Sequence, residues 1–207
     1  MKENTPMTVE SEFPRDFQEC IRFHGHLCPG LALGYVAAKA GARALGVSAA
    51  EDEEVVAVVE NDSCAVDAIQ VILGCTFGKG NFVFRDWGKQ VFTFLNRKDG
   101  RAVRVAFRGP MPGHDRRRAL KEKIDAGHAT DAEQAMFGKL RQDVVMALLT
   151  ADPEEFFEVR EVTPDMPPQA AVVATRPCEI CGESTMTTRL LEQDGRAICR
   201  GCAERAR

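Results

Sequence analysis

Apolar residues recur along this chain with two periods, and the changes of period mark its elements. Residues 13–22 predict a first helix. A stronger helix runs from Pro29 to Leu45, with Gly30, Gly34, Ala37, Ala38 and Gly41 at helical spacing, a smooth face for close backbone packing. Pro29 suits its first turn and Gly46 its exit. The valine-rich run Glu54–Glu60 predicts a buried strand. Cys64–Leu73 reads as helix, with Val66, Ile69 and Leu73 on one side and Gly74 as its stop. Phe82–Phe84 predicts a short strand. Val91–Asn96 and Ala102–Phe107 alternate with period two around Asp99-Gly100, a strong hairpin signal. Helices follow at 114–126 and 131–149. Thr130 and Glu133 form a capping box for the second, and Met136, Phe137, Leu140, Val144 and Leu148 give it an apolar stripe. Phe156–Val162 predicts a last strand, and three prolines in Thr163–Gln169 mark a linker.

The order is helix, strand, helix, then strands, which is an α+β chain with a helical extension. Its 207 residues are 44% hydrophobic and 28% charged with net charge −4, which excludes disordered and fibrous classes. The apolar stretch Leu31–Val47 is broken by Lys39 and Arg43, so no segment suits a bilayer and no membrane partner is expected. The opening residues MKENTPMTVESEF lack the apolar centre of a signal peptide, and a cytoplasmic location is expected. Residues 97–123 carry a net charge of +7. Stacking aromatics are not interleaved with those charges, so a solvated face is expected there rather than a nucleic-acid surface.

The eight cysteines change the picture. In a reducing cytosol cysteines serve more often as metal ligands or reactive thiols than as disulfides. Cys178-x-x-Cys181 is followed, after 17 residues, by Cys199-x-x-Cys202. Two intervening residues let both sulfurs of a pair reach one tetrahedral ion. Four thiolates close the zinc shell, so such a site is structural. An Asp194-Gly195 turn between Thr188–Glu192 and Arg196–Ile198 supplies a zinc ribbon's hairpin. Disulfides and an iron–sulfur cluster are the competing readings; the cytosolic context and the knuckle spacing speak against them. Charges in the ribbon nearly balance, so docking or dimer stabilisation suits it better than nucleic acid. The expected domains are 1–163, a linker 164–174 and a ribbon 175–207.

A second constellation lies near the start. Phe23-His24-Gly25-His26-Leu27-Cys28-Pro29-Gly30 carries three borderline-soft ligands at alternate positions before a helix. In an extended segment His24, His26 and Cys28 point to one side. The helix N-terminus is expected to favour the Cys28 thiolate. Glu60-Asn61-Asp62-Ser63-Cys64 repeats the design, with Asp67 one turn on. If the two junctions adjoin, they form a pocket of thiolate, imidazole and carboxylate. Taken singly, these residues read as loop histidines and small core thiols; together they read as a metal or redox site. Cys20 is expected in the core. Gly74–Asn81 fails as a phosphate loop, because its glycine spacing is short and no Ser or Thr follows Lys79. Cys75 and Lys79 remain candidates for an anion or cofactor contact.

The combination FHGHLCPGLALGYVAAKAG, ENDSCAVDAIQVILGCTFGKGN and RDWGKQVF resembles the FmdE family, which takes its name from a component of molybdenum or tungsten formylmethanofuran dehydrogenase. The resemblance covers residues 13–160, and the four-cysteine ribbon also looks like that of several members. It implies an α-β-α-β-β-β core with a mixed sheet, related to the large domain of glyceraldehyde-3-phosphate dehydrogenase. It further implies a homodimer, a metalloenzyme partner and a metal at the His/Cys cluster. On that basis His24, His26, Cys28 and Cys64 are the expected ligands of a second metal, zinc, beside the structural zinc. Cys64, Asp62 and Asp67 are the expected catalytic or proton-moving groups. A protein associated with an oxidoreductase, a metal carrier or assembly factor, and a docking protein acting through its ribbon all stay open at this point.

Overall fold

The computed structural model describes residues 13–205. These fall into two compact units divided between Gln169 and Ala170. The first holds α1 (Arg15–His24), α2 (Pro29–Leu45), β1 (Val55–Val59), α3 (Ala65–Leu73), β2 (Phe82–Phe84), β3 (Val91–Asn96), β4 (Ala102–Phe107), α4 (His114–Asp125), α5 (Asp131–Thr150), the single turn α6 (Pro153–Phe156) and β5 (Phe157–Val162). Its five-stranded sheet has the order β2-β1-β3-β4-β5. β1 and β2 are parallel and joined through α3, whereas β3, β4 and β5 follow as antiparallel neighbours. The sheet is therefore mixed, and the expected α+β order holds.

Most boundaries agree with the sequence reading because local signals set them. Gly46 and Gly74 end α2 and α3 in the left-handed conformation. Thr130 and Glu133 make the full capping box. The first helix differs. It runs to His24, two residues further than expected, and closes where Gly25, at φ 90°, turns its N–H back to the Ile21 carbonyl. His24 thus ends a helix, and the alternate-position, extended reading of 24, 26 and 28 is corrected.

One sheet face carries the main core. Val55, Ala57, Val59, Phe92, Phe94, Val103, Val105 and Phe157 pack there with α1, α2, α3 and the last turns of α5. Val56, Leu95 and Ala102 form a smaller cluster on the other face with Val58, Val83 and Val162. Burial on both faces explains why β1 is continuous valine and alanine rather than alternating. The smooth face of α2 is used fully. A Cβ on Gly34 would lie 2.0 Å from the Ala65 carbonyl oxygen of α3, and one on Gly41 would lie 2.1 Å from the Phe94 ring. Asp16 ties α1 to α2 by accepting from Tyr35 Oη and Lys39 Nζ, both at 2.9 Å.

The apolar stripe of α5 is only half in the core. Val144, Val145 and Leu148 are buried, but Met136 is 38% exposed, and α4 buries no residue. Much of the basic stretch is neutralised within the chain. Arg97 donates to the Pro167 and Pro168 carbonyls, Arg101 pairs with Glu161, Arg108 with Glu158, Lys121 with Asp125 and Lys123 with Glu133. No helix among the described residues is long and apolar enough to cross a membrane.

The second unit comprises the hairpins β6 (Thr175–Pro177)/β7 (Ser184–Met186) and β8 (Leu190–Gln193)/β9 (Arg196–Cys199), then α7 (Arg200–Arg205). Asp194 (φ 53°) and Gly195 (φ 72°) make the β8–β9 turn, both left-handed as a two-residue hairpin demands. Its whole core is Cys178, Ile198, Cys202 and Ala203.

The α2–α3 approach generates a test. Gly34→Ala should lower stability by about 1–3 kcal/mol, because its obstacle is backbone that cannot rotate away. Gly138→Ala, in α5 with open space at its Cβ, should raise it by about 0.5–1 kcal/mol. Urea unfolding followed by far-UV circular dichroism checks both, and equal effects would refute the close-approach account.

Candidate metal centres

α1 ends at His24, Gly25 reverses the chain, His26 follows, and Cys28 caps α2. This compact turn brings one ligand atom each of His24, His26 and Cys28 within 4.8 Å of one another. Cys28 Sγ lies 3.7 Å from His24 Nε2, and the two imidazole rings sit with centroids 4.5 Å apart. The other nitrogen of His24, Nδ1, is 2.7 Å from Asp67 Oδ2 in the first turn of α3. A carboxylate only accepts, so the neutral ring carries its proton on Nδ1 and turns the Nε2 lone pair toward Cys28. That carboxylate–histidine arrangement orients metal-binding imidazoles generally. Gln70 Nε2 steadies the second Asp67 oxygen at 3.4 Å.

Cys28 is buried, and its sulfur accepts the Leu31 N–H at 3.3 Å. Burial nonetheless pushes the thiol above its ordinary range; the Leu31 N–H opposes this and the Cys64 thiol adds to it. The helix N-terminus does favour the thiolate, through the Leu31 and Gly30 N–H groups, but desolvation outweighs them. A divalent cation among these atoms supplies the charge that favours the thiolate. The donor set thus fits a metal: two imidazoles, one oriented by a carboxylate, and a thiol short of a positive neighbour.

Cys64 precedes α3 without a side-chain cap bond. Gly30 brings it close. A Cβ on Gly30 would stand 3.1 Å from Cys64 Cβ, 3.8 Å from its sulfur and 3.9 Å from the Cys28 sulfur. The two thiols flank one glycine, although Cys64 lies outside the compact trio. Asp62 is exposed. Cys75 and Lys79 are not part of this centre. α3 intervenes, nine residues or about 13 Å long. The Cys75 thiol is fully buried, donates to the Val55 carbonyl at 3.4 Å, and burial pushes it up to about 12. The Lys79 ammonium holds the Ala50 carbonyl at 2.9 Å. Cys20 is core, donating to the Asp16 carbonyl, with its thiol pushed by burial to about 12.

Sequence reasoning passed over Asn61. Its Nδ2 donates to the Lys89 carbonyl at 2.6 Å, while its Oδ1 accepts from Ser63 N at 3.1 Å and Ser63 Oγ at 2.7 Å. This side-chain turn fixes the loop that delivers Cys64. Asn-Asp-Ser after a strand was the available signal. Arg141 was missed too: its Nη2 donates to the Leu27 carbonyl at 3.2 Å, between two members of the trio. At a sequence separation of 114, no local signal could have shown this contact.

In the second unit one sulfur each of Cys178, Cys181, Cys199 and Cys202 lies within 4.8 Å of the others. The Cys178 sulfur accepts N–H groups from Cys199 at 3.2 Å and Ile180 at 3.5 Å. The backbone N–H groups of Cys181, Cys199 and Ile180 lower its thiol to about 6. This four-cysteine group, like the first, could hold a metal.

A family model described as FmdE, molybdenum formylmethanofuran dehydrogenase operon, matches residues 23–158, which include His24, His26, Cys28, Cys64 and Asp67. The chain belongs to the FmdE family. This FmdE chain is 31% identical over 207 residues to a protein of Archaeoglobus fulgidus called a probable S-adenosyl-L-methionine-binding protein; the match takes in 94% of this chain and 54% of that one. The chain therefore spans about half the length of that relative. A tungsten formylmethanofuran dehydrogenase FmdE-like protein from Syntrophus aciditrophicus shares the fold, with TM-score 0.61 and 21% identity over 91% of this chain and 90% of that one.

Asn61→Ala removes three bonds from the Cys64 loop. It should lower stability by about 1–3 kcal/mol, measured by thermal unfolding, and should make Cys64 react faster with a thiol-specific reagent. An unchanged Cys64 rate would show that the loop holds without Asn61.

Proposed function

We propose that this FmdE chain is a metal-binding protein of molybdenum- or tungsten-dependent one-carbon or formate metabolism. His24, His26 and Cys28 hold a functional metal, with Cys64 as the neighbouring second thiolate, and zinc is the metal that suits this donor set. Cys178, Cys181, Cys199 and Cys202 hold a structural zinc. The observation that carries the reading is His24 itself, with Nδ1 on Asp67 and Nε2 facing Cys28. Family membership supports a metalloenzyme partner, because the family model is described by a formylmethanofuran dehydrogenase operon. A cytoplasmic homodimer is the assembly we propose with it.

A metal with an open position supplies a Lewis acid and lowers the pKa of bound water. The chain's own groups would orient it: Asp67 keeps the proton on His24 Nδ1, and Leu31 N–H aligns the Cys28 sulfur. Asp67 is also the residue placed to hold a proton near the centre. A carrier or assembly role is the second reading. It is favoured by the exposure of His26, which leaves one ligand of the trio free to exchange.

Metal content per chain tests the two-site reading. Wild type should carry two ions, and Cys28→Ser and Cys178→Ser one each; an unchanged count in Cys28→Ser would sink the core site. Asp67→Ala should weaken the core metal by about 10–100-fold in competition with a chromogenic chelator, leaving the ribbon ion in place. Micromolar or weaker exchange at the core site in wild type would favour the carrier.

A further inference from the structure

Each cysteine of the first unit carries a free thiol, but their surroundings differ. Cys20 and Cys75 are buried, and each donates to a backbone carbonyl, of Asp16 and of Val55. Cys28 and Cys64 lie together instead. One point, the place that a Cβ on Gly30 would take, is 3.9 Å from the Cys28 sulfur and 3.8 Å from the Cys64 sulfur. Glycine puts no side chain there to hold the thiols apart. The two thiols also interact side chain to side chain. The pair is unequal. Cys28 is 6% exposed and its sulfur accepts the Leu31 N–H. Cys64 is half-buried and has no cap bond to α3 to give up. Oxidants select the accessible thiol of such a pair, and the buried neighbour then resolves it.

We infer that Cys28 and Cys64 form a reversible disulfide that regulates metal binding at the His/Cys centre, with a hydroperoxide as oxidant. The Cys64 sulfur attacks one peroxide oxygen. An S–O bond forms, the O–O bond breaks, and the other oxygen leaves with the Cys64 proton, as water or, from an organic peroxide, as an alcohol. The Cys28 sulfur then attacks the Cys64 sulfur. The S–S bond forms, and hydroxide leaves with the Cys28 proton as water. The two thiols have lost two electrons, and the peroxide has gained both. A reduced dithiol restores the pair by exchange through a mixed disulfide. The consequence for the metal is direct, because the thiolate is the ligand and a disulfide offers none. Oxidation takes Cys28 from the trio and Cys64 from its side, which leaves two imidazoles and releases the ion. For that consequence the inference rests on the metal reading, and it names the regulation of the same site.

Stoichiometric hydrogen peroxide added to the zinc-loaded full chain tests it. Alkylation and peptide mass spectrometry follow the thiols, and the metal retained after desalting follows the ion. A cross-linked peptide joining Cys28 to Cys64 is expected, with loss of the core ion in the same proportion. Dithiothreitol and added zinc should reverse both. Cys28→Ser, which keeps the ribbon ion alone, gives the ribbon's share of any loss under the same treatment. In Cys64→Ser, Cys28 should oxidise at least tenfold more slowly, because its accessible partner is gone. No oxidation at either residue, oxidation of both without a cross-link, or Cys28 oxidation at the wild-type rate in Cys64→Ser overturns the proposal. A cross-link that leaves the core ion bound also overturns it, and the metal reading stands. A chain that cross-links but carries no core ion at the outset defeats the metal reading and leaves the disulfide pair standing.

Discussion

The contact of α2 with α3 is the constraint on which the rest of the first unit depends. Gly34 lets the α2 backbone meet the Ala65 carbonyl, and Gly30, one turn earlier, meets the Cys64 side chain. Side chains at either position would hold the helices apart. The approach has a chemical consequence at the helix starts. Cys28 caps α2 and Cys64 precedes α3, so bringing the backbones together brings two thiols together. Asp67, in the first turn of α3, then falls within hydrogen-bond reach of His24 at the end of α1. Packing and site are one arrangement here: the small residues that close the core are those that assemble the ligands.

The two cysteine groups meet the cost of a buried thiolate differently. In the ribbon, backbone N–H groups converge on Cys178 and bring its thiol down to about 6, while burial and the neighbouring thiols push Cys181 up to about 12 and raise Cys202 as well. The knuckle itself prepares one ligand of the four. At Cys28 burial outweighs the Leu31 and Gly30 N–H groups. That thiol needs a cation to ionise, so metal and thiolate arrive together.

How much of this could be read from the sequence follows from how local each determinant is. The cysteine pairs, the Asp194-Gly195 turn, the Thr130–Glu133 box and the Asp99-Gly100 hairpin act over a few residues, and each stood in the sequence. The strands β3 and β4 kept their expected bounds because alternation and turn agree. The extended reading of His24 fails at one residue: Gly25, in the left-handed conformation, closes α1 just after His24 and makes that position a helix end. Cys75 and Lys79 look like a ligand pair on paper, but the fold commits them to the Val55 and Ala50 carbonyls. The outer half of the α5 stripe is apolar in sequence yet lies outside the core, because α4 beside it buries nothing.

Sequence distance also separates the two candidate centres physically. The ribbon's ligands lie within one 25-residue segment of hairpins, and a buried cluster of four residues is too little to fold it unaided. An ion there contributes folding energy directly. The His/Cys trio is also local, but its orientation is not: the His24–Asp67 bond spans 43 residues and the Arg141–Leu27 bond 114. Those contacts depend on the packing of α1, α3 and α5 around the large apolar core. The first centre is therefore oriented by long-range packing, whereas the second is built within one short segment. A metal in the second would have to supply folding energy that the first unit obtains from its apolar core.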